Sequence, residues 1–389
     1  MHRVTLVFIL FLLIPDLYIY LVHVVRKTGK ASLRSLYWLP TLLLAAGYVY
    51  LMYLTGDNAM SHHTQAIGRL AIAILLFVLP KTLFMVCSLA GVAMHFLTRH
   101  RCPRRPFTAM GTVLATVSFF CILYGTLAGI TRFDIKEVEY RSADIPEGFD
   151  GYRIVQLSDI HIGSWQGNPE PIRQLVRLVN EQQPDLIVFT GDLVNQQSHE
   201  LDGFQEILSQ LHAPDGVYSI LGNHDYGSYY HWESPEAEAD NLHYLLNQEK
   251  AMGWKLLNNA HEILRHNGDS IALIGVENDG EPPFSQFADL PKAVQGTDSL
   301  FQILLSHNPT HWRREVLPKT NIALMLAGHT HAMQGILFGH SLAELIYPEW
   351  RGMYREGNRA LYVNIGIGYV GLPFRLGAWP EVTVLTLRK

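Results

Sequence analysis

Five short runs combine aspartate, histidine and asparagine in patterns that could hold metal: Ser158-Asp159-Ile160-His161, Gly191-Asp192, Gly222-Asn223-His224-Asp225, Ser306-His307-Asn308 and Gly328-His329-Thr330-His331. Carboxylate oxygen mixed with neutral imidazole suits a hard-to-borderline divalent ion. Two such ions about 3.5–4 Å apart need one carboxylate that bridges them. Asp159, His161 and His331 could serve one ion, and Asn223, His307 and His329 the other, with Asp192 as the bridge. A cation pair lowers the pKa of a shared water, so that hydroxide exists near neutral pH, and offsets charge gathered in an in-line phosphoryl displacement. His224, its tautomer fixed by Asp225, is then the expected acid for the leaving oxygen. Any one of these pairs arises readily by chance; the five together, each after a strand, argue for a site.

The elements that must position them are legible as short apolar runs bounded by turn residues. Arg153–Leu157, Leu186–Thr190, Val217–Leu221, Ile271–Val276, Phe301–Leu305, Ala323–Ala327, Leu361–Ile365 and Val382–Leu387 read as buried strands. Between the first two, Ile172, Leu175, Val176 and Val179 keep the spacing of an amphipathic helix over Pro171–Gln183. A second helix is expected from Ser234 as N-cap and Pro235 at its first position, with Leu242, Leu245 and Leu246 inward. Alternating strands and helices imply a layered α/β fold with a largely parallel centre. Ligand sites of such sheets collect beyond the carboxyl ends of the strands, where all five runs fall.

Composition divides the 389 residues into unlike halves. Residues 1–131 carry eleven Lys/Arg against Asp16 and Asp57, whereas 132–389 carry 19 bases against 33 acids. The acidic half argues against nucleic acid as a partner, which needs clustered Lys/Arg. Cys87, Cys102 and Cys121 all lie in the basic half, so the other half has neither a disulfide nor a thiolate metal site. Four apolar stretches, Val4–Val25, Leu36–Leu54, Leu70–Leu97 and Phe107–Ile130, approach the length that crosses a bilayer as a helix. Pro80 and Lys81 predict a kink or break in the third, and Lys81 reads as a lysine shielded by neighbouring helices. Basic loops follow the first span (Arg26, Lys27, Lys30, Arg34) and the third (Arg99, Arg101, Arg104, Arg105), while Thr55–Arg69 holds one base. The positive-inside bias puts the basic loops in the cytoplasm and the acidic half outside. A membrane region over 1–131 and a catalytic domain over 132–389 are expected, in an integral protein of a bacterial inner membrane with the bilayer as partner.

The five runs resemble the calcineurin-like metallophosphoesterases, from about Arg153 onward, and the multi-span leader is similar to the membrane-anchored bacterial branch of that family. The resemblance implies a two-sheet α/β/β/α sandwich and a dinuclear centre of Mn, Fe or Zn. It implies Asp159, His161, Asp192 and His331 on one ion, Asp192, Asn223, His307 and His329 on the other, and His224 as acid. Many members of that branch have Gly-Gly-Gln after the last histidine; this chain has Ala332-Met333-Gln334.

The implied activity is phosphoester hydrolysis, of a phosphodiester or pyrophosphate in a phosphorylated small molecule or lipid, most simply an envelope substrate. Two segments are expected to shape its pocket: Tyr226, Tyr229, Tyr230, His231 and Trp232, and Tyr347, Trp350, Arg351, Tyr354 and Arg355. His199, His212, His243, His261, His266, His311 and His340 belong to no motif and read as surface or packing residues. Two rivals are a non-catalytic metal-binding module, which would lack ligands, and a transporter or sensor with a regulatory outer domain.

Overall fold

The computed structural model describes residues 2–53 and 63–389. They fall into two compact units, one running up to Ala128 with Gly371–Phe374 and the other comprising Gly129–Val370 with Arg375–Lys389.

The first unit is helical. His2–Ile19 continues through a π turn, Tyr20–Val24, into Val25–Lys27; Ala31–Leu36 and Leu39–Tyr53 follow, then Thr64–Leu97 and Arg105–Leu127. Among the described residues, Thr64–Leu97 and Arg105–Thr131 are long and apolar enough to cross a membrane. Most of the expected loop Thr55–Arg69 lies outside the described residues, and from Thr64 the chain is already helical. Of the expected kink or break at Pro80, the break does not occur: Thr64–Leu97 runs through it as one element. Proline there removes one backbone donor, a deficit that membrane helices tolerate when neighbouring turns and Thr side chains satisfy the backbone. Thr82 Oγ1 donates to Val78 O at 2.8 Å in that turn. Lys81 is shielded by a partner, since its Nζ lies 2.5 Å from Asp16 Oδ1. Asp16 also accepts from Tyr37 Oη at 2.8 Å and from the Thr41 hydroxyl.

The second unit contains twelve strands: β1 (Asp134–Arg141), β2 (Arg153–Leu157), β3 (Leu186–Phe189), β4 (Val217–Ser219), β5 (Lys255–Leu256), β6 (Ala260–His266), β7 (Asp269–Gly275), β8 (Phe301–Leu305), β9 (Leu324–Ala327), β10 (Gly352–Glu356), β11 (Arg359–Val363) and β12 (Glu381–Arg388). One sheet has the order β1-β12-β2-β3-β4-β5 and the other β10-β11-β9-β8-β7-β6. Both have parallel centres, with antiparallel pairing at β12–β2, β10–β11 and β6–β7.

Alternation within each strand builds three cores. Ile154, Val188, Leu305 and Leu326 meet between the sheets. Val155, Leu157, Ile187 and Phe189 face outward onto Ile172, Leu175, Val176 and Val179 of the helix Glu170–Glu181, and onto Leu245 of the helix Pro235–Ala251. Ala272, Leu304 and Met325 cover the other outer face with Leu290, Trp312 and Val316. The result is an α/β/β/α sandwich whose central strands are apolar on both faces, as buried parallel strands must be. Ser234 caps its helix as expected, accepting from Ala237 N at 3.3 Å.

Glu249, on that second helix, is fully buried and accepts from the Ser219 hydroxyl. Burial pushes its carboxyl from 4.5 up to about 8, against the opposing hydrogen bond from Ser219. Between these values the unfolded chain releases a proton that the folded chain keeps, so stability falls as pH rises through the window. Glu249→Gln should therefore leave Tm unchanged near pH 4.5 and raise it progressively towards pH 8, measured by thermal melts of the detergent-solubilised chain.

Candidate metal centre

The five motif runs lie just beyond the ends of β2, β3, β4, β8 and β9. Asp159, His161, Asp192, His329 and His331 all adopt left-handed backbone, with φ between 46° and 74°. Only a few per cent of non-glycine residues adopt it, Asn, Asp and His more readily than others, and five in one place mark a functional site. The sharp turns aim alternate side chains at a common point. The motif glycines are dictated by crowding. A Cβ on Gly328 would collide with Ser158 Oγ and sit 2.5 Å from Asp159 Oδ2, and one on Gly191 would sit 2.8 Å from His307 Nδ1.

Six of the seven expected side chains meet there, and Asn223 lines the cavity over them. His331 Nε2 lies 3.1 Å from both Asp159 Oδ1 and His161 Nε2. His307 Nε2 lies 3.1 Å from Asp192 Oδ2 and 3.3 Å from His329 Nδ1. Asp192 stands between the two groups: its Oδ2 is also 3.6 Å from His161 Nε2, and its Oδ1 accepts from His224 N at 2.8 Å. Asn223 completes the set, its Nδ2 donating to Tyr229 Oη at 2.9 Å.

Asp159 Oδ1 and Asn223 Oδ1 are buried and accept no hydrogen bond among the described residues. Buried acceptors are ordinarily satisfied. The donor set and the two orphaned oxygens fit a pair of divalent cations. Asp159, His161 and His331 form one group able to hold an ion, and Asp192, His307 and His329 another.

Backbone carbonyls orient the rings. His161 Nδ1 faces Val194 O at 3.2 Å and His307 Nδ1 faces Thr190 O at 2.7 Å, which leaves Nε2 of each as the inward nitrogen. Burial, with His224 nearby, holds the His161 imidazole well below the usual histidine range. Burial and His307 lower His329 to about 3. Burial alone would lower His307, but Asp192 beside it holds it up to about 9. Burial would likewise raise Asp192, yet His307 and His224 keep its carboxyl well below the ordinary value.

Residues 2–130 match a family model described as "Probable Calcineurin-like phosphoesterase, transmembrane domain", and residues 152–333 match "Calcineurin-like phosphoesterase". The uncharacterized metallophosphoesterase YkuE of Bacillus subtilis is 34% identical over 281 residues, which cover 68% of this chain and 90% of that protein. The chain belongs to the calcineurin-like phosphoesterases. A zebrafish "Transmembrane protein with metallophosphoesterase domain" is 33% identical over 72% of the chain, and its bovine counterpart 32% over 65%. The chain spans only 63% and 57% of those two proteins. Relatives in animals as well as bacteria show that this pairing of domains is not a bacterial branch, as the sequence reading had it. Residues 2–130 thus correspond to the family's transmembrane domain and residues 152–333 to its phosphoesterase domain.

Two details of the centre differ from expectation. Asp225 does not face His224; its carboxylate accepts from the backbone N–H of Asp192, Leu193 and Gly222 at 2.8 Å and of Val194 at 3.2 Å. With both oxygens occupied by these donors, Asp225 fixes loops rather than a tautomer. His224 Nδ1 instead meets Asn195 O at 2.5 Å. Beyond the motifs, fully buried Arg375 donates to His331 Nδ1 at 3.0 Å and to the carbonyls of Ile365, Gly368 and Ala378. A lone arginine outside any motif gave no signal for this. Of the two expected pocket segments, Tyr229 and Tyr347 line the cavity of about 470 Å³ over the centre, together with Asn223, His224 and His329. His311 forms a further cluster with Asp279 and Glu315. Arg314 pairs with Asp279, and Lys319 with Glu315 at 2.9 Å, so cations of the chain already neutralise that cluster.

Because Gly328 leaves no room for a methyl group, Gly328→Ala should displace Asp159 and lower bound divalent metal per chain. Elemental analysis checks this, with the circular-dichroism spectrum unchanged.

Proposed function

We propose that this chain is a membrane-anchored dinuclear-metal phosphohydrolase that cleaves a phosphodiester or pyrophosphate bond of a lipid or cell-envelope substrate outside the cytoplasm. The observation that carries it is the pair of buried groups Asp159, His161, His331 and Asp192, His307, His329, with unsatisfied acceptors at Asp159 Oδ1 and Asn223 Oδ1 beside them. In this reading Asp159, His161, Asp192 and His331 hold one ion and Asp192, Asn223, His307 and His329 the other, with Mn, Fe or Zn as the candidates. When bound, the cations supply an activated water and charge to offset the phosphoryl oxygens. Asp192 keeps Oδ2 turned to both groups because the His224 amide holds Oδ1. His224 donates Nδ1–H to Asn195 O, which leaves Nε2 for the pocket; as the imidazolium it would pass its Nε2 proton to the leaving oxygen and return to the neutral ring.

The domain division stays as 1–131 for the membrane region, with four spans, and 132–389 for the catalytic domain. The basic loops support an outward-facing domain, and the bacterial inner membrane is the proposed location.

Hydrolysis of bis(p-nitrophenyl) phosphate by the detergent-solubilised chain tests the function: chelation should abolish turnover and Mn²⁺ restore it, and full turnover after exhaustive chelation overturns the reading. Asp192→Ala should drop metal content from two ions per chain to none. His224→Ala should keep both ions and lose about 10²–10⁴-fold in rate, most for poor leaving groups. Equal loss across leaving groups removes His224 as the acid.

A further inference from the structure

The segment that follows His331 exposes apolar side chains on a rigid frame. Nine large apolar residues are exposed in the second unit, and six of them lie within 333–346: Met333, Leu337, Phe338, Leu342, Leu345 and Ile346. Phe338 is 102% exposed and Leu345 82%. Phe338 is also held at φ 53°, a conformation that a bulky residue seldom adopts. The exposure does not come from a loose loop. Leu337 and His340 exchange backbone hydrogen bonds of 2.9 and 3.0 Å, and Ile336 N donates to Leu376 O at 2.8 Å. Ser341 and Glu344 form a capping box, and Ser341 Oγ donates to Ala332 O at 2.6 Å. Beneath the bare tips, Ala332 and Ala343 are buried against Trp350, Ile365 and Ala378. The segment is continuous with the catalytic cavity, whose wall includes Met333 and Ile346.

A contiguous apolar patch of this kind marks an interaction surface, and two observations say with what. The helix Arg105–Leu127 ends six residues before β1 begins at Asp134. Six extended residues reach about 20 Å, so the chain's own span keeps this domain next to the bilayer. The border of the patch also lacks the acidic excess of its surroundings. In a half with 33 acids and 19 bases, the patch is edged by Arg351, which stacks on Trp350 at 4.5 Å and donates to Gly339 O at 3.1 Å. Its one exposed-side acid, Glu344, is engaged by His340 and Ser341. An apolar tip edged by a cation is the chemistry of a lipid–water interface with anionic headgroups.

We propose that 333–346 is an interfacial anchor that inserts Phe338, Leu342 and Leu345 into the leaflet next to the domain. It thereby holds the mouth of the catalytic cavity at headgroup level and makes membrane-resident amphiphiles the substrates. The substrate clause rests on the hydrolase reading above; the anchor itself does not.

The test uses the full chain with Cys87, Cys102 and Cys121 changed to serine and one labelling site, Phe338→Cys or, should that variant fold poorly, Leu345→Cys. Lys292→Cys, on the helix Leu290–Ala293, is the control. Each carries an environment-sensitive fluorophore in vesicles of phosphatidylethanolamine and phosphatidylglycerol, with or without nitroxide-labelled lipid. Quenching at 338 or 345 should be at least threefold that at 292. Equal quenching overturns the anchor, and so does a blue-shifted emission that nitroxide lipid does not quench, which would place the segment in a protein interface. Turnover of bis(p-nitrophenyl) phosphate on the same vesicles separates the two readings. Quenching without turnover sinks the hydrolase and leaves the anchor; turnover without quenching does the reverse.

Discussion

The centre depends on one carboxylate that meets no side chain of a candidate ligand and holds the main chain instead. Asp225 gathers four backbone N–H groups, three from the loop after β3 and one from the loop after β4. Hydrogen bonds from charged groups are stronger than neutral ones, and in a buried setting the loss of one partner is costly. The clamp fixes Asp192 relative to Asn223 and His224, which sit on the neighbouring strand. The geometry of the bridge therefore follows from a residue whose own chemistry is spent on the main chain.

The central strands and the motif loops were legible because each is a closed local signal. A parallel strand buried on both faces is a continuous apolar run, and the run ends where the polar motif begins. β1, β5, β6 and β10 were not read, and the reason is their place at or near the sheet edges. β1 has the burial of an edge strand, with charged Lys136, Glu137 and Glu139 along it, and β5 is two residues long. The capping of the second helix could be read from Ser234-Pro235, since that interaction spans three residues.

What the sequence hid is non-local or carried by the main chain. Asp225 follows His224 directly, and adjacency suggested a pair; in a turn, neighbouring side chains diverge, and the partner of His224 proved to be a carbonyl 29 positions earlier. Arg375 reaches His331 across 44 positions. The departure from Gly-Gly-Gln acquires a physical meaning in the structure: Ala332 and Met333 both sit at left-handed φ, 47° and 44°, where glycine would be at ease. The chain keeps the turn and bears its strain. Met333, in exchange, places a thioether at the cavity wall where glycine would place nothing.

The position of β12 has a consequence for how the molecule is made. It lies between β1 and β2, pairing in parallel with the first and antiparallel with the second. Until residues 381–388 leave the ribosome, the sheet has a gap one strand wide and β1 has nothing to pair with. The last strand made therefore closes the sheet, and β1, the first made, waits longest for its partner.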